Sequence, residues 1–251
     1  MSADVTNIEL ILFGVVNVCA AVLSGIGGSG GGFIATPLLI ILGLSPAQAV
    51  ATGKLGGMAV ATGSLGGMRR VPKRSRRQMT LILSLAVVIG LLAPFAITRL
   101  DSEFYRRVLG ILLLAMIPIL IVKKVGQAEQ EVSPARRLVG YGLLILSMAM
   151  AAVFSGGLGT LINIVLMAFL GMSALEANVT KRFTQLTLNI IIFVGLLGSG
   201  LIIWRVAAVC MLSGGLGGYI GGKIAAKKSN RFVMGVFMVL MFLSALELLF
   251  G

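Results

Sequence analysis

The chain has 251 residues, 58% of them hydrophobic and only 12% charged, with a mean hydropathy of +1.06. That much apolar sequence cannot be hidden in one water-soluble core, so the composition excludes an ordinary globular domain and requires the lipid bilayer as a partner. A net charge of +13 would suit a nucleic-acid binder, but the basic residues are clustered, with six in 69–77, three in 99–107, four in 123–137 and four in 223–231. Basic clusters in short loops between apolar runs report membrane orientation, so no nucleic-acid partner is expected. Histidine is absent, and Cys19 and Cys210 each lie inside an apolar run. No disulfide framework, metal site or cofactor is therefore expected.

Ten apolar segments follow in order, at 8–25, 30–44, 46–68, 79–98, 104–122, 138–155, 157–171, 174–198, 202–222 and 232–250. The N-terminus carries Asp4 and Glu9 but no basic residue, so the first segment reads as part of the mature protein and not as a signal peptide. Most segments approach the ~20 residues that a helix needs to cross a bilayer. The second and seventh have 15 residues each, roughly 22 Å of helix at 1.5 Å per residue. Both begin at or within a glycine break. The first break is Ser24-Gly25-Ile26-Gly27-Gly28-Ser29-Gly30-Gly31-Gly32, and the weaker second is Ser155-Gly156-Gly157-Leu158-Gly159. Pro37, Pro94 and Pro118 mark expected kinks. The spacings Gly53/Gly57, Gly63/Gly67, Gly214/Gly218 and Gly218/Gly222 suit close helix packing in lipid.

The segments divide into two sets of five, 1–126 and 127–251. Gly43-Leu44-Ser45 matches Gly171-Met172-Ser173 at an offset of 128, Ala49 then matches Ala177, and Thr52-Gly53-Lys54 aligns with Thr180-Lys181-Arg182. The breaks align once a three-residue gap pairs Ser24 with Ser155. An odd number of crossings per set makes the second inverted relative to the first. Placing the basic loops 69–77, 123–137 and 223–231 together in the cytoplasm requires ten crossings with both termini outside. Re-entrant second and seventh segments would put 69–77 and 223–231 on opposite sides, against that rule. The expected fold is thus an all-α polytopic membrane protein of two inverted five-segment repeats, with helices 2 and 7 short and glycine-interrupted.

Paired, short, glycine-interrupted segments in inverted repeats point to a transporter's binding site. A helix that starts at a glycine break presents unpaired backbone N–H groups and its positive dipole end, both of which favour an anion. Ser24, Gly27, Gly28, Ser29, Gly30, Gly31 and Gly32 are therefore candidate ligands from the first break, and Ser155, Gly156, Gly157 and Gly159 from the second. The competing reading is a tight turn between packed helices. Lys54 and Arg182 lie at matching places about eight residues into their segments, where a charge faces a cavity or a partner unless it snorkels to the nearer interface. Lys181, beside Arg182, is expected to snorkel. Thr52, Asn178 and Thr180 complete the candidate set, while Thr36, Asn163, Gln185 and Asn189 are further polar positions on the same segments. Glu176 and Glu247 are candidates for a coupling proton. The break lacks the spacing and the lysine of a phosphate-binding P-loop, which rejects a nucleotide site. With no histidine and no intramembrane carboxylate pair, an enzyme is not expected.

Gly25-Ile26-Gly27-Gly28-Ser29-Gly30-Gly31-Gly32-Phe33-Ile34-Ala35-Thr36-Pro37-Leu38-Leu39, followed by Gly43-Leu44-Ser45-Pro46-Ala47-Gln48-Ala49, resembles the sulfite exporter (TauE/SafE) family of membrane permeases. The second-half Ser-Gly-Gly-Leu-Gly and Gly171-Met172-Ser173-Ala174-Leu175-Glu176-Ala177-Asn178 are similar to that family's weaker second copy. Ser29 interrupts the glycine run and departs from the pattern. The resemblance implies movement of sulfite, a sulfonate or a related small organic anion across a prokaryotic plasma membrane. Alternating access is the expected mechanism. The alternative is a non-transporting scaffold whose glycines serve helix packing alone.

Overall fold

The computed structural model describes residues 5–27, 31–68, 76–97, 132–153 and 159–228. Eight helices carry them, with no strand among the described residues: α1 (Asn7–Gly27), α2 (Gly31–Ile41), α3 (Pro46–Gly67), α4 (Arg76–Ile97), α5 (Pro134–Val153), α6 (Gly159–Ala168), α7 (Ala174–Leu196) and α8 (Trp204–Lys227). They answer to eight of the ten expected segments. The fifth and tenth, 104–122 and 232–250, lie outside the described residues, as do Pro118 and Glu247.

Three of the helices, α1, α4 and α5, are long and apolar enough to cross a membrane by length and composition. α3, α7 and α8 are as long, with 22, 23 and 24 residues, but carry glycines and polar groups that turn inwards. α2 and α6 have only 11 and 10 residues, about 15 Å each and half the ~30 Å hydrocarbon thickness. α5 starts earlier than its apolar run, so Arg136 and Arg137 fall in its first turn, and α8 runs on to include Lys223 and Lys227.

The polarity of the fold is reversed from that of a soluble protein. Ile8, Ile11, Leu12 and Val15 form an exposed stripe on α1, as Leu91, Leu92 and Phe95 do on α4, which is the surface that lipid covers. Inside, the two largest fully buried side chains are Arg182 and Lys181. The expected outward path for Lys181 is thus corrected: it is only 2% exposed, because α7 is packed between α3 and α4.

Glycine sets the spacing of the central helices. On α8 one row, Gly214, Gly218 and Gly222, faces α3 at Gly56, Val60 and Ser64, and a second row, Gly217 and Gly221, faces α1 at Ala21, Val22 and Gly25. A Cβ on Gly218 would lie 2.5 Å from the Val60 carbonyl oxygen, and one on Gly221 would lie 2.7 Å from Gly25 Cα. No side chain fits, so α8 wedges between α1 and α3. In the other half α4 packs against α5 and α7 in the same way, with Gly90 against Ile191 and Gly195 against Pro94.

Two connections share a left-handed glycine and a capping box. After α2, Gly43 adopts φ 87°, and N–H groups of Gly43 and Leu44 close back on the Ile40 and Leu39 carbonyls, the hydrogen-bond pattern of a Schellman stop. Ser45 then caps α3 in a reciprocal box with Gln48. After α6, Gly171 adopts φ 69°, and Ser173 caps α7 in the same box with Glu176. Glu176 Oε2 accepts the Ser173 N–H at 2.8 Å, so this carboxylate serves the start of a helix.

Gly218→Ala is expected to force backbone apart and to abolish the folded yield or lower the melting temperature sharply, since overpacking costs ~1–3 kcal/mol or more. Gly142→Ala, where a Cβ meets nothing within 4 Å, is the control. It should leave the melting temperature unchanged or raise it, because glycine inside a helix costs about 0.5–1 kcal/mol relative to alanine. Thermal unfolding in detergent reads both.

Candidate functional site

A helix that stops inside a protein leaves its last carbonyls without intrahelical partners, together with the negative end of its dipole. α1 is described as far as Gly27 and α5 as far as Val153. On the last described turn of α1 three second-half side chains donate to backbone carbonyls. Arg182 Nη2 donates to the Ser24 carbonyl, Asn178 Nδ2 donates to the Ile26 carbonyl at 2.9 Å, and Asn163 Nδ2 donates to the Gly27 carbonyl at 3.5 Å. At the end of α5 the donor comes from the first half, where Lys54 Nζ donates to the Ala151 carbonyl at 3.1 Å. The last described turn of each of these two helices thus receives a cation from the opposite half of the chain.

Between these two junctions lies a cavity of about 90 Å³, several times the volume that one water needs. Its wall includes Ser24 of α1, Thr36 of α2, Lys54 of α3 and Gly159, the first residue of α6. α7 adds Lys181, Gln185 and Asn189. Among the described residues no aspartate or glutamate lines it, and the wall they form carries lysines and hydrogen-bonding groups beside apolar side chains such as Leu39, Val60 and Ile162.

The structure distributes the candidate residues over several roles. Ser24, Lys54 and Gly159 line the cavity. Gly31 and Gly32 open α2, and Gly27 closes α1. Gly28, Ser29, Gly30, Ser155, Gly156 and Gly157 lie outside the described residues. Arg182 and Asn178 sit against the end of α1 and are not among the lining residues. Arg182 Nε and Nη1 and the Oδ1 atoms of Asn163 and Asn178 have no hydrogen-bond partner among the described residues. Thr52 is buried elsewhere, its Oγ1 accepting the Ile203 N–H at 3.2 Å just before α8. Thr180 is buried within α7, and its carbonyl accepts from Thr184 Oγ1 at 3.0 Å.

Two features escaped the reading of the sequence. Gln185 and Asn189 are among the further polar positions of the sequence, but that they are spaced by four with Lys181, and so share one helix face, was missed; a period-four scan of polar residues within apolar segments would have shown the stripe. Asn17, also on the wall, donates through Nδ2 to Ser213 Oγ at 2.7 Å. It lies on the buried face of α1 with Phe13, Ala20 and Ala21, and no repeat or motif marks it.

Chemically, the described wall offers ammonium, hydroxyl and carboxamide groups. The chain is similar to several known proteins. A probable membrane transporter protein of Haemophilus influenzae is 26% identical over 243 residues, covering 96% of this chain and 94% of that protein. A probable membrane transporter of Sinorhizobium is 25% identical, covering 88% of this chain and 85% of its own. The probable membrane transporter YfcA of Escherichia coli is 21% identical, covering 96% and 90%. No solved structure matches the chain. The family model described as sulfite exporter TauE/SafE matches residues 12–248, and the chain accordingly belongs to the sulfite exporter TauE/SafE family of membrane transporters.

Proposed function

We propose that this transporter exports a small anion, such as sulfite, a sulfonate or a related organic anion, across a prokaryotic plasma membrane by alternating access. The observation that carries the reading is the cavity itself, which is walled by both halves of the chain and bears lysines, with no carboxylate among its described lining residues. In a low-dielectric interior such a wall favours a ligand of opposite charge. The family's description supplies the substrate class and the direction.

The architecture proposed with it is the inverted pair of five-segment repeats, 1–126 and 127–251, with loops 69–77, 123–137 and 223–231 in the cytoplasm. Several contacts support that threading. Arg205 Nη2 donates to Asn7 Oδ1 at 2.6 Å, which sets the starts of α1 and α8 on one side. Arg136 at the start of α5 donates to the Ala168 carbonyl at the end of α6, which keeps those two ends together, as the threading requires. α8 packs on α1 and α3 as α4 packs on α5 and α7, the exchange of fourth segments that a two-fold relation requires.

In this threading the Arg182–Ser24 junction lies towards the cytoplasm and the Lys54–Ala151 junction towards the outside, with the cavity between them. Opening to one side means parting one junction while the other holds. The bonds to carbonyl oxygens are suited to this, because a neutral partner releases a cation to an arriving anion more readily than a carboxylate would.

The first test is the melting temperature of the purified protein in detergent against sulfite, sulfonates, sulfate, carboxylates and neutral solutes. A ligand that binds only the folded state raises it by mass action. A selective rise with one anion class is expected, and a flat response across all anions would instead favour the packing scaffold. Lys54→Ala should weaken binding of the responding anion at least tenfold, in line with ~1.5–3 kcal/mol for a hydrogen bond to a charged group. Its melting temperature without ligand should move by only a few degrees.

A further inference from the structure

Two buried cations stand side by side on α7, and they face different things. Adjacent residues of a helix point about 100° apart. Arg182 accordingly turns to α1 and donates to the Ser24 carbonyl, while Lys181 lines the cavity. Lys181 Nζ donates to Gln185 Oε1 at 2.6 Å. With its oxygen engaged there, the Gln185 carboxamide presents Nε2 towards Gly57 of α3, and Asn189 presents Nδ2 to the same place. A Cβ on Gly57 would lie 3.2 Å from the first nitrogen and 2.6 Å from the second. The bare backbone of α3 leaves the room that these two amides occupy.

The stripe therefore offers the cavity ammonium and amide N–H groups along one face of α7. It is also one-sided. The positions 128 residues before Lys181, Gln185 and Asn189 are Gly53, Gly57 and Ala61, so one half supplies the donors and the other supplies the space. Lys181 and Asn189 are the eighth and sixteenth of the 23 residues of α7, which puts the stripe over the helix's central third.

We infer that Lys181 reads the charge of the transported anion, that Gln185 positions the lysine, and that the Gln185 and Asn189 amides donate to further oxygens of the same ligand. A row of donors selects a fully deprotonated oxyanion, whose oxygens all accept, over a ligand of similar size that carries its own ammonium group. Arg182, expected from the sequence to carry the substrate's charge, neutralises the carbonyl end of α1 instead. The inference rests on the anion-transport reading above and assigns its recognition residues.

Purified full-length protein is titrated calorimetrically with sulfite and methanesulfonate, with 2-aminoethanesulfonate as the zwitterionic probe, and melting is followed in parallel. Lys181→Gln should lose at least tenfold in affinity for both anions while its unliganded melting temperature holds or rises, since a buried charge is removed. Lys181→Arg should recover part of that loss. Gln185→Leu should weaken binding in the native background and, by a smaller factor, in Lys181→Gln as well, since it removes both the lysine's partner and an amide donor of its own. Gly57→Ala, whose Cβ meets only the far ends of two flexible amides, should fold and bind less tightly. Arg182→Gln should lower the unliganded melting temperature and leave affinity within threefold. Native affinity in Lys181→Gln, equal affinity for the zwitterion, or a loss carried by Arg182→Gln alone overturns the inference while anion transport stands. A native protein that binds none of the anions overturns the transport reading, and this assignment with it.

Discussion

A cation buried inside a membrane protein must find oxygen, and a helix that stops inside the protein has carbonyl oxygens without partners. This chain joins the two requirements. Arg182 meets the end of α1 at Ser24, and Lys54 meets the end of α5 at Ala151. At each of these helix ends the cation comes from the opposite half of the chain. The interrupted helices, the buried charges and the close association of the halves are consequences of the same exchange.

Packing around the site obeys a second constraint, the absence of a hydrophobic drive between helices in lipid. The two glycine rows of α8 answer it by bringing backbone against backbone, with α3 on one side and α1 on the other. That places Ser24 and Lys54, from helices separated by a break and a turn, at the wall of one cavity. The Asn17–Ser213 hydrogen bond crosses the α1–α8 contact and adds a polar tie where apolar matching gives little register. Rigidity here and weak carbonyl bonds at the two junctions are complementary, since the proposed cycle parts the junctions and needs fixed elements to part.

Positions 128 residues apart are alike in some roles and unlike in others. Gly43 and Gly171, and the boxes at Ser45 and Ser173, are alike in conformation and role. Lys54 and Arg182 share a role as cations on a carbonyl end and differ in reach, since the guanidinium lies against the end of α1 while the ammonium also faces the cavity. Gly57 and Gln185 share neither chemistry nor role, one being space and the other a donor that fills it. A ligand without two-fold symmetry needs this kind of divergence.

The sequence by itself determined the class. Apolar run length, basic clusters and the Gly43/Gly171 correspondence are local properties, read in the order they occur, and they yielded an all-helical membrane protein with short helices after two breaks. Its candidate residues Ser24, Lys54 and Gly159 do meet at one cavity. Only the tertiary structure decided which of Lys181 and Arg182 faces that cavity. Their positions in the chain differ by one residue and about 100° of helix, and whether that angle points to lipid, to a carbonyl or to an open space depends on which helices pack around α7. The placement of Thr52 against Ile203 and of Asn17 against Ser213 was hidden for the same reason. Each partner lies more than 150 residues away in the chain, and no local pattern encodes a contact at that distance.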